Sequence, residues 1–434
     1  MSEVKKPPQE EPKKNGLQIF QEELLKGATG KTPGHPSRSR STLQALAIPL
    51  LAIFTGLVMG GLIIILTSNE FYTAWGKSPL LGLKEAWNIV ANAYSALFTG
   101  AFGSPSRILA ALQSGNAVDI RKAFYPITDS LVAATPYIFG GLALALGFRS
   151  GLFNIGAEGQ IFIGAIFAAY VGYSVKGVPA ILHVPMAFLA GAIGGGLWGF
   201  IPGWLKAKTG AHEVINTMMM NYIAFRLSDW LLTGVMRRPG TPNPVSPTIQ
   251  ESAMFYKFFG DPIRFHLGFF IALGIAWLVY WFLFKTKWGF ELRAVGSNPH
   301  AARYAGIVVP LTIILAMVLS GALAGMAGAN EVLGVNHNLA MAFSSGYGWD
   351  SIALALLGKS HPAGVVLSAL LFGALRSGAT NMQLKSDIPI DIISVLQAFI
   401  LVFVAAPAVI RTIYRLKAPS EGEEGLLTVS WGGK

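Results

Sequence analysis

Apolar runs of roughly twenty residues, separated by short polar segments where Lys and Arg cluster, recur along the whole sequence. Coiled as helix at about 1.5 Å per residue, such a run matches about 30 Å of hydrocarbon. Backbone groups in lipid must be bonded inside their own segment, which leaves helices as the natural spanning element. The reading is therefore all-α: a polytopic transmembrane helical bundle of about 10 spans, both termini cytoplasmic. The spans fall near 43–66, 129–148, 160–173, 184–204, 214–235, 266–284, 308–329, 349–359, 362–379 and 389–410. Two of them, 160–173 and 349–359, are short for the bilayer. Short, Gly-interrupted segments beside polar residues predict broken or re-entrant helices near 150–173 and 349–379. A re-entrant pair at 349–379 would leave the parity of crossings unchanged.

Composition narrows the class further. Charged residues make up 13% of the chain against 53% hydrophobic, where a soluble chain would carry about a quarter charged. Fifty glycines, many inside apolar stretches such as 190–199, suit close helix packing in lipid. The formal net charge of +11 lies in short segments beside apolar runs. That is the pattern of orientation signals and contact with anionic membrane lipid, not of nucleic-acid binding. Cysteine is absent, which excludes disulfides, thiolate metal sites and Cys nucleophiles.

Residues 1–42 are rich in Lys, Glu, Pro and Ser and read as a disordered tail. Segment 17–25 could form a short amphipathic helix within it. Lys5, Lys6, Lys13, Lys14, Lys26, Lys31, Arg38 and Arg40 precede the first span and place the tail in the cytoplasm. The first apolar run is too long for a signal peptide and reads as an uncleaved span. The transmembrane domain covers 43–412, with 413–434 a cytoplasmic C-terminal tail. Within it, 67–126 contains no run long enough to cross and is expected as an extracytoplasmic loop plus interfacial helix. Lys77, Lys84, Arg107, Arg121 and Lys122 run against that placement, as Arg237 and Arg238 do in a later Pro-rich outer loop.

Four segments carry chemistry. Arg149-Ser-Gly-Leu-Phe-Asn-Ile-Gly-Ala-Glu-Gly-Gln160 joins two apolar runs and holds Asn154, Glu158 and Gln160. A carboxylate at membrane depth is costly unless it faces water or a partner. The segment reads either as a broken helix on a translocation path or as a tight cytoplasmic turn with a solvated Glu158. His212 to Tyr222 opens another span with Asn216 and Asn221, either of which could bond substrate or a neighbouring helix. In the polar loop 285–307, Ser297 or Asn298 can cap a short helix with Pro299 in its first turn and Gly306 ending it. Asn330-Glu331 and Asp350 could line an outer polar vestibule or simply meet solvent at the interface. No phosphate-binding Gly-Lys-Ser/Thr loop, His/Glu zinc motif or Gly-x-Ser-x-Gly elbow occurs, so no catalytic or metal-binding residue is expected, and no cofactor.

The 149–160 segment with Ile163-Gly-Ala165 resembles the signature of permease subunits of nucleoside and simple-sugar ABC importers, within the branched-chain amino acid and ribose permease group. Glu213-Val-Ile-Asn-Thr217, Asn221-Tyr222 and Arg293-Ala-Val-Gly-Ser-Asn298 with Ala301, Ala302, Ala305 and Gly306 resemble the same subgroup. The matches span roughly 85–412 and occur in the family's order. The resemblance implies alternating access powered by a separate ABC ATPase. It also implies a second permease subunit, expected as a heterodimer partner, and an extracytoplasmic substrate-binding lipoprotein. The location implied is the bacterial plasma (inner) membrane. The wording of 153–160 favours nucleosides over sugars. On that basis Asn154, Glu158, Gln160, Asn216 and Asn221 are the candidates for the substrate pathway or gate. Arg293, Gly296, Ser297, Asn298, Pro299, Ala301, Ala302 and Gly306 are the candidates for ATPase coupling. The rival reading is an ion-coupled secondary transporter of small polar solutes, for which Glu158 is almost the only coupling group available. The charged tail before the first span departs from the usual pattern of this group.

Overall fold

The computed structural model describes residues 38–415 except 345, 387 and 390; the amphipathic segment expected at 17–25, the rest of the N-terminal tail and nearly all of 413–434 lie outside them. The chain divides into Met1–Ile48 and Pro49–Lys434, and every contact below lies within the second unit. Apart from connecting segments, the longest at 234–267, the described residues are helical, and they contain two isolated β-bridges.

In chain order the helices are α1 Arg38–Thr67, α2 Asn69–Lys77, α3 Pro79–Phe102, α4 Pro105–Ser114 and α5 Ala117–Arg149. Then come α6 Ala157–Ser174, α7 Ala180–Thr209, α8 Glu213–Thr233, α9 Gly268–Lys285, α10 Lys287–Ser297 and α11 Pro299–Tyr304. The last are α12 Val309–Asn330, continued by a π-helical turn Glu331–Asn336, then α13 Tyr347–Leu357, α14 Pro362–Ser386, α15 Asp391–Ala405 and α16 Pro407–Ile413.

Six segments are long and apolar enough to cross a membrane: Leu50–Thr67 of α1, α5, α7, α9, Val309–Asn336 and α14. The other four expected spans are helices too, but each is short or interrupted by polar groups. Helix α6 carries Glu158 and Gln160 in its first turn, and α8 carries Asn216, Asn221, Arg226 and Asp229. Helix α13 has 11 residues, about 16 Å of rise. The stretch expected at 389–410 breaks at Ala406, with Pro407 opening α16. The expected interruptions are real breaks: 150–156 separates α5 from α6, and a turn at 358–361 separates α13 from α14.

Segment 67–126, expected as loop plus interfacial helix, is almost wholly helical. Ser78 caps the start of α3, accepting from the Leu81 N–H at 3.2 Å, with Pro79 in the first turn. Lys84 and Glu85 interrupt the apolar pattern there and hide the helix from a hydropathy reading. Further along, Ala93, Ala96, Leu97 and Gly100 are buried, and α3 packs along α14. Helix α5 likewise starts about three turns earlier than expected, at Ala117, where Asn116 caps it.

Two long helix pairs frame the core, α5 along α14 and α12 along α7. The α7–α12 seam is built of glycines on both sides. A Cβ on Gly195 would lie 2.7 Å from the Gly325 Cα, so only glycine lets these backbones meet. The chain runs twice through the order long helix, break, shorter helix, long helix, once as α5, α6 and α7 and once as α12, α13 and α14.

Candidate functional site

The loop 150–156 is held by side chains from three helices. Asn154 is fully buried; its amide nitrogen donates to Gln160 Oε1 and Ser320 Oγ, both at 2.9 Å, and its carbonyl accepts from the Gly156 N–H at 3.0 Å. Ser320 in turn donates to the Ala143 carbonyl on α5. Asn221 on α8 reaches in from the other side, accepting from the Gly159 N–H at 2.8 Å and donating to the Ile155 carbonyl at 3.0 Å. Asn154, Gln160 and Asn221 thus have protein partners for their polar atoms, as buried amides require. Asn216 stands apart from them, half-buried, its side-chain nitrogen buried without a partner among the described residues.

Glu158 sits in the first turn of α6, where unpaired N–H groups favour a carboxylate. Its Oε2 accepts from the Gly348 N–H at 2.5 Å, so it also meets the first turn of α13. A Cβ on Gly348 would come to 2.6 Å of the Glu158 Cα, which makes this approach specific to glycine. Two helix N-termini from opposite halves of the chain therefore share one buried carboxylate.

At one end of the bundle, Arg149 Nε donates to the Ser360 carbonyl at 3.0 Å and its Nη2 to the Lys359 carbonyl at 3.3 Å. Lys359 and Ser360 both adopt positive φ, 52° and 49°, a strained conformation for residues with a Cβ. Arg149 thereby ties the break after α5 to the turn after α13. Beside it, Arg293 donates to the Leu283 carbonyl at 3.0 Å and lies over the Phe284 ring.

The loop 285–307 folds into α10 and α11. Asn298, rather than Ser297, is the cap of α11: its side chain accepts from the His300 and Ala301 N–H groups at 3.0 Å, with Pro299 at the first position. Gly306 has φ of 81° just beyond the helix, as the expected stop requires. Ser297, Asn298, Pro299, Ala301 and Gly306 are exposed and Tyr304 is 95% exposed, whereas Ala302 is buried against Val295 and Val309. Gly296 contacts the break itself: a Cβ there would lie 2.7 Å from the Ser150 carbonyl carbon.

A second polar group was not assembled by the sequence reading. The Tyr137 hydroxyl on α5 donates to Asp350 Oδ2 on α13 at 2.7 Å and accepts from Arg376 Nη1 on α14 at 2.7 Å. The Arg376 guanidinium lies over the Tyr347 ring at 4.8 Å. Asp350 stood out in the sequence as a polar residue opening an apolar run; Tyr137 and Arg376 gave no signal, being single residues inside long helices. Away from both groups, a polar cleft of about 880 Å³ is lined by Glu70, Glu85, Arg107, Lys122, Asn381 and Lys385, and contains none of the expected site residues.

The family model described as branched-chain amino acid transport system / permease component matches residues 127–405. The chain belongs to that family. It is a transport subunit of a multi-pass membrane system, and permeases of this kind are not themselves enzymes. Among relatives, the guanosine ABC transporter permease NupP of Bacillus subtilis is 40% identical over 378 residues, 86% of this chain and 96% of that protein. The nucleoside ABC transporter permease NupB of Lactococcus lactis is 32% identical over 379 residues, 85% of this chain and 93% of that protein. The glucose ABC transporter permease TsgB13 of Haloferax volcanii is 34% identical over 296 residues, covering 66% of this chain and 77% of that protein. No solved structure matches the chain.

Proposed function

We propose that this permease carries nucleosides inward across a bacterial inner membrane by alternating access, powered by ATP hydrolysis on a separate ATPase chain. A second, non-identical permease completes the pathway, and an extracytoplasmic binding lipoprotein delivers the substrate. The 40% identity to a guanosine permease across 86% of the chain carries this reading. An ion-coupled mechanism has no support in the comparisons. The six long apolar helices together with α6, α8, α13 and α15 make ten crossings, which returns both termini to the cytoplasm. The basic residues Lys206, Lys208, Lys285, Lys287, Arg293 and Arg303 then all fall inside.

In this scheme α10 and α11 present Tyr304, Ala301 and Gly306 to the ATPase. Gly296 relays their movement to the 150–156 break. Asn154, Gln160 and Asn221 keep that break rigid enough to transmit it, and Glu158 is the hinge point where α6 and α13 part or close. Asn216 on α8, whose side-chain nitrogen has no partner among the described residues, is the one amide of the expected set left to bond a substrate once the pathway opens.

The test is uptake of labelled guanosine into proteoliposomes containing the permease pair, ATPase and binding protein. ATP-dependent accumulation is expected. Uptake no greater than in ATP-free vesicles, for guanosine and for other nucleosides, would overturn the assignment. Accumulation of glucose instead would favour a sugar importer, the reading that the similarity to TsgB13 supports.

A further inference from the structure

We propose that Asp350 and Arg376 form an intramembrane contact site for a vicinal diol, the group that ribosides and simple sugars share. The proposal rests on the importer reading and names the residues that would hold its cargo on the way through.

Both groups lie within the helical bundle, yet neither is sealed inside the chain: the side chains of Arg376 and Asp350 are 28% and 32% exposed. Charged groups facing lipid are expensive, so the open side of this pair must meet water or another protein surface. Their bonding is also incomplete. Asp350 uses Oδ2 for the Tyr137 hydroxyl, and Oδ1 has no hydrogen-bond partner among the described residues. Arg376 donates from Nη1 to Tyr137, while its Nε and Nη2 have no acceptor among them. The two charges are 3.8 Å apart, close enough to neutralise one another but beyond hydrogen-bonding distance.

A free carboxylate oxygen beside free guanidinium N–H groups offers acceptors and donors on one edge. A vicinal diol fits that edge, donating its O–H groups to Asp350 and accepting from Arg376. A phosphate or carboxylate ligand would meet the Asp350 charge, and an amine would meet Arg376; the neutral pair selects a neutral ligand. A nucleobase would want an open aromatic face, and the rings packed against this pair offer none. Tyr137, Tyr347 and Phe372 are buried and packed on one another, and Arg376 covers Tyr347. Those rings instead fix the guanidinium in place, so little freedom is lost when a ligand binds.

The experiment is equilibrium dialysis of tritiated guanosine and tritiated 2′-deoxyguanosine against the purified permease complex without its binding protein. The wild-type complex is expected to hold guanosine roughly tenfold or more tightly than the deoxy compound. Asp350→Asn and Arg376→Gln should each weaken guanosine to the level of 2′-deoxyguanosine and leave the latter within about twofold of wild type. Equal binding of both by the wild type, equal loss of both in the variants, or no loss at all would each overturn the site. Competition by unlabelled ribose assigns the site to sugars generally; competition by guanosine alone assigns it to ribosides. Wild-type uptake of guanosine alongside variants that bind normally sinks the site but leaves the importer. Absence of ATP-driven wild-type uptake of either guanosine or ribose sinks the importer reading itself.

Discussion

Gly296 and Gly151 meet backbone to backbone: a Cβ added at Gly151 would lie 3.0 Å from the Gly296 Cα. One residue lies in the last turn of α10, which leads into α11, and the other belongs to the break between α5 and α6. The exposed face of α11 and the buried carboxylate of Glu158 are thus joined by a short run of rigid contacts, through Asn154 and the Asn221 bonds to Ile155 and Gly159. That is the kind of packed, two-ended path along which a movement at one site can bias another.

Gly296→Val is expected to force these backbones apart, since overpacking of a close contact costs about 1–3 kcal/mol. Thermal unfolding of the purified complex should fall, and uptake should fall with it. Gly306→Ala is the contrast. Space is open there, and the cost is that of a positive φ in a residue with a Cβ, about 1–2 kcal/mol. Equal melting temperatures for Gly296→Val and wild type would remove the basis for this relay.

Arg149→Gln should release the turn at Lys359 and Ser360. Two charge-assisted bonds to backbone carbonyls are lost, each about 1.5–3 kcal/mol when one partner is charged. Two residues held at positive φ lose their clamp as well. Arg149→Lys should recover only part of this, because an ammonium lacks the planar fork. Hydrogen exchange of the amides at 358–361 reports the effect directly, and unchanged protection in Arg149→Gln would contradict it.

The amide residues should separate into two classes. Asn154→Ala leaves the buried Gly156 N–H, Gln160 and Ser320 short of a partner, at roughly 1–3 kcal/mol for each buried group stranded. It should lower the melting temperature and transport together. Asn216→Ala removes a nitrogen that has no partner among the described residues, so stability should hold while any contribution to substrate contact is lost. Uptake and melting temperature measured on both variants distinguish a structural amide from a path-lining one; a stable, fully active Asn154→Ala would reverse the assignment.

Much of this was readable from residues alone, for reasons that differ by element. The long apolar helices announce themselves because lipid forces their composition. Helix α11 was readable because cap, Pro and terminal Gly are local signals carried by Asn298, Pro299 and Gly306. The 149–160 segment stood out because a carboxylate among glycines is costly in membrane. What residue chemistry could not settle was the partner of each polar group. Asn154 and Asn221 are candidate path residues by type, yet each finds its bonds in protein, and only the fold brings Ser320 and Ile155 to them. The Tyr137–Asp350–Arg376 group joins positions more than two hundred apart in sequence, so no window along the chain contains it. Helix α3 was hidden by Lys84 and Glu85 in its first turns, and the π-helical turn Glu331–Asn336 at the end of α12 leaves no compositional mark.

Helix α11 offers the sharpest test of the ATPase interface, because its two faces should respond differently. Ala302 looks inward onto Val295 and Val309, so Ala302→Glu buries a charge in an apolar cluster and should unseat the helix itself. Loss of ATPase binding in that variant would say little about the docking surface. Tyr304 and Ala301 look outward, with Tyr304 95% exposed. Tyr304→Glu should keep the melting temperature of the isolated permease within about 1 °C, since exposed substitutions rarely move stability by more than about 0.5 kcal/mol. Burial of a large aromatic at an interface core contributes about 2 kcal/mol or more, so co-purification with the ATPase should drop at least tenfold. Undiminished co-purification with Tyr304→Glu and Ala301→Glu together would move the docking surface away from α11, and the Gly296 contact with the 150–156 break would then need another source of motion.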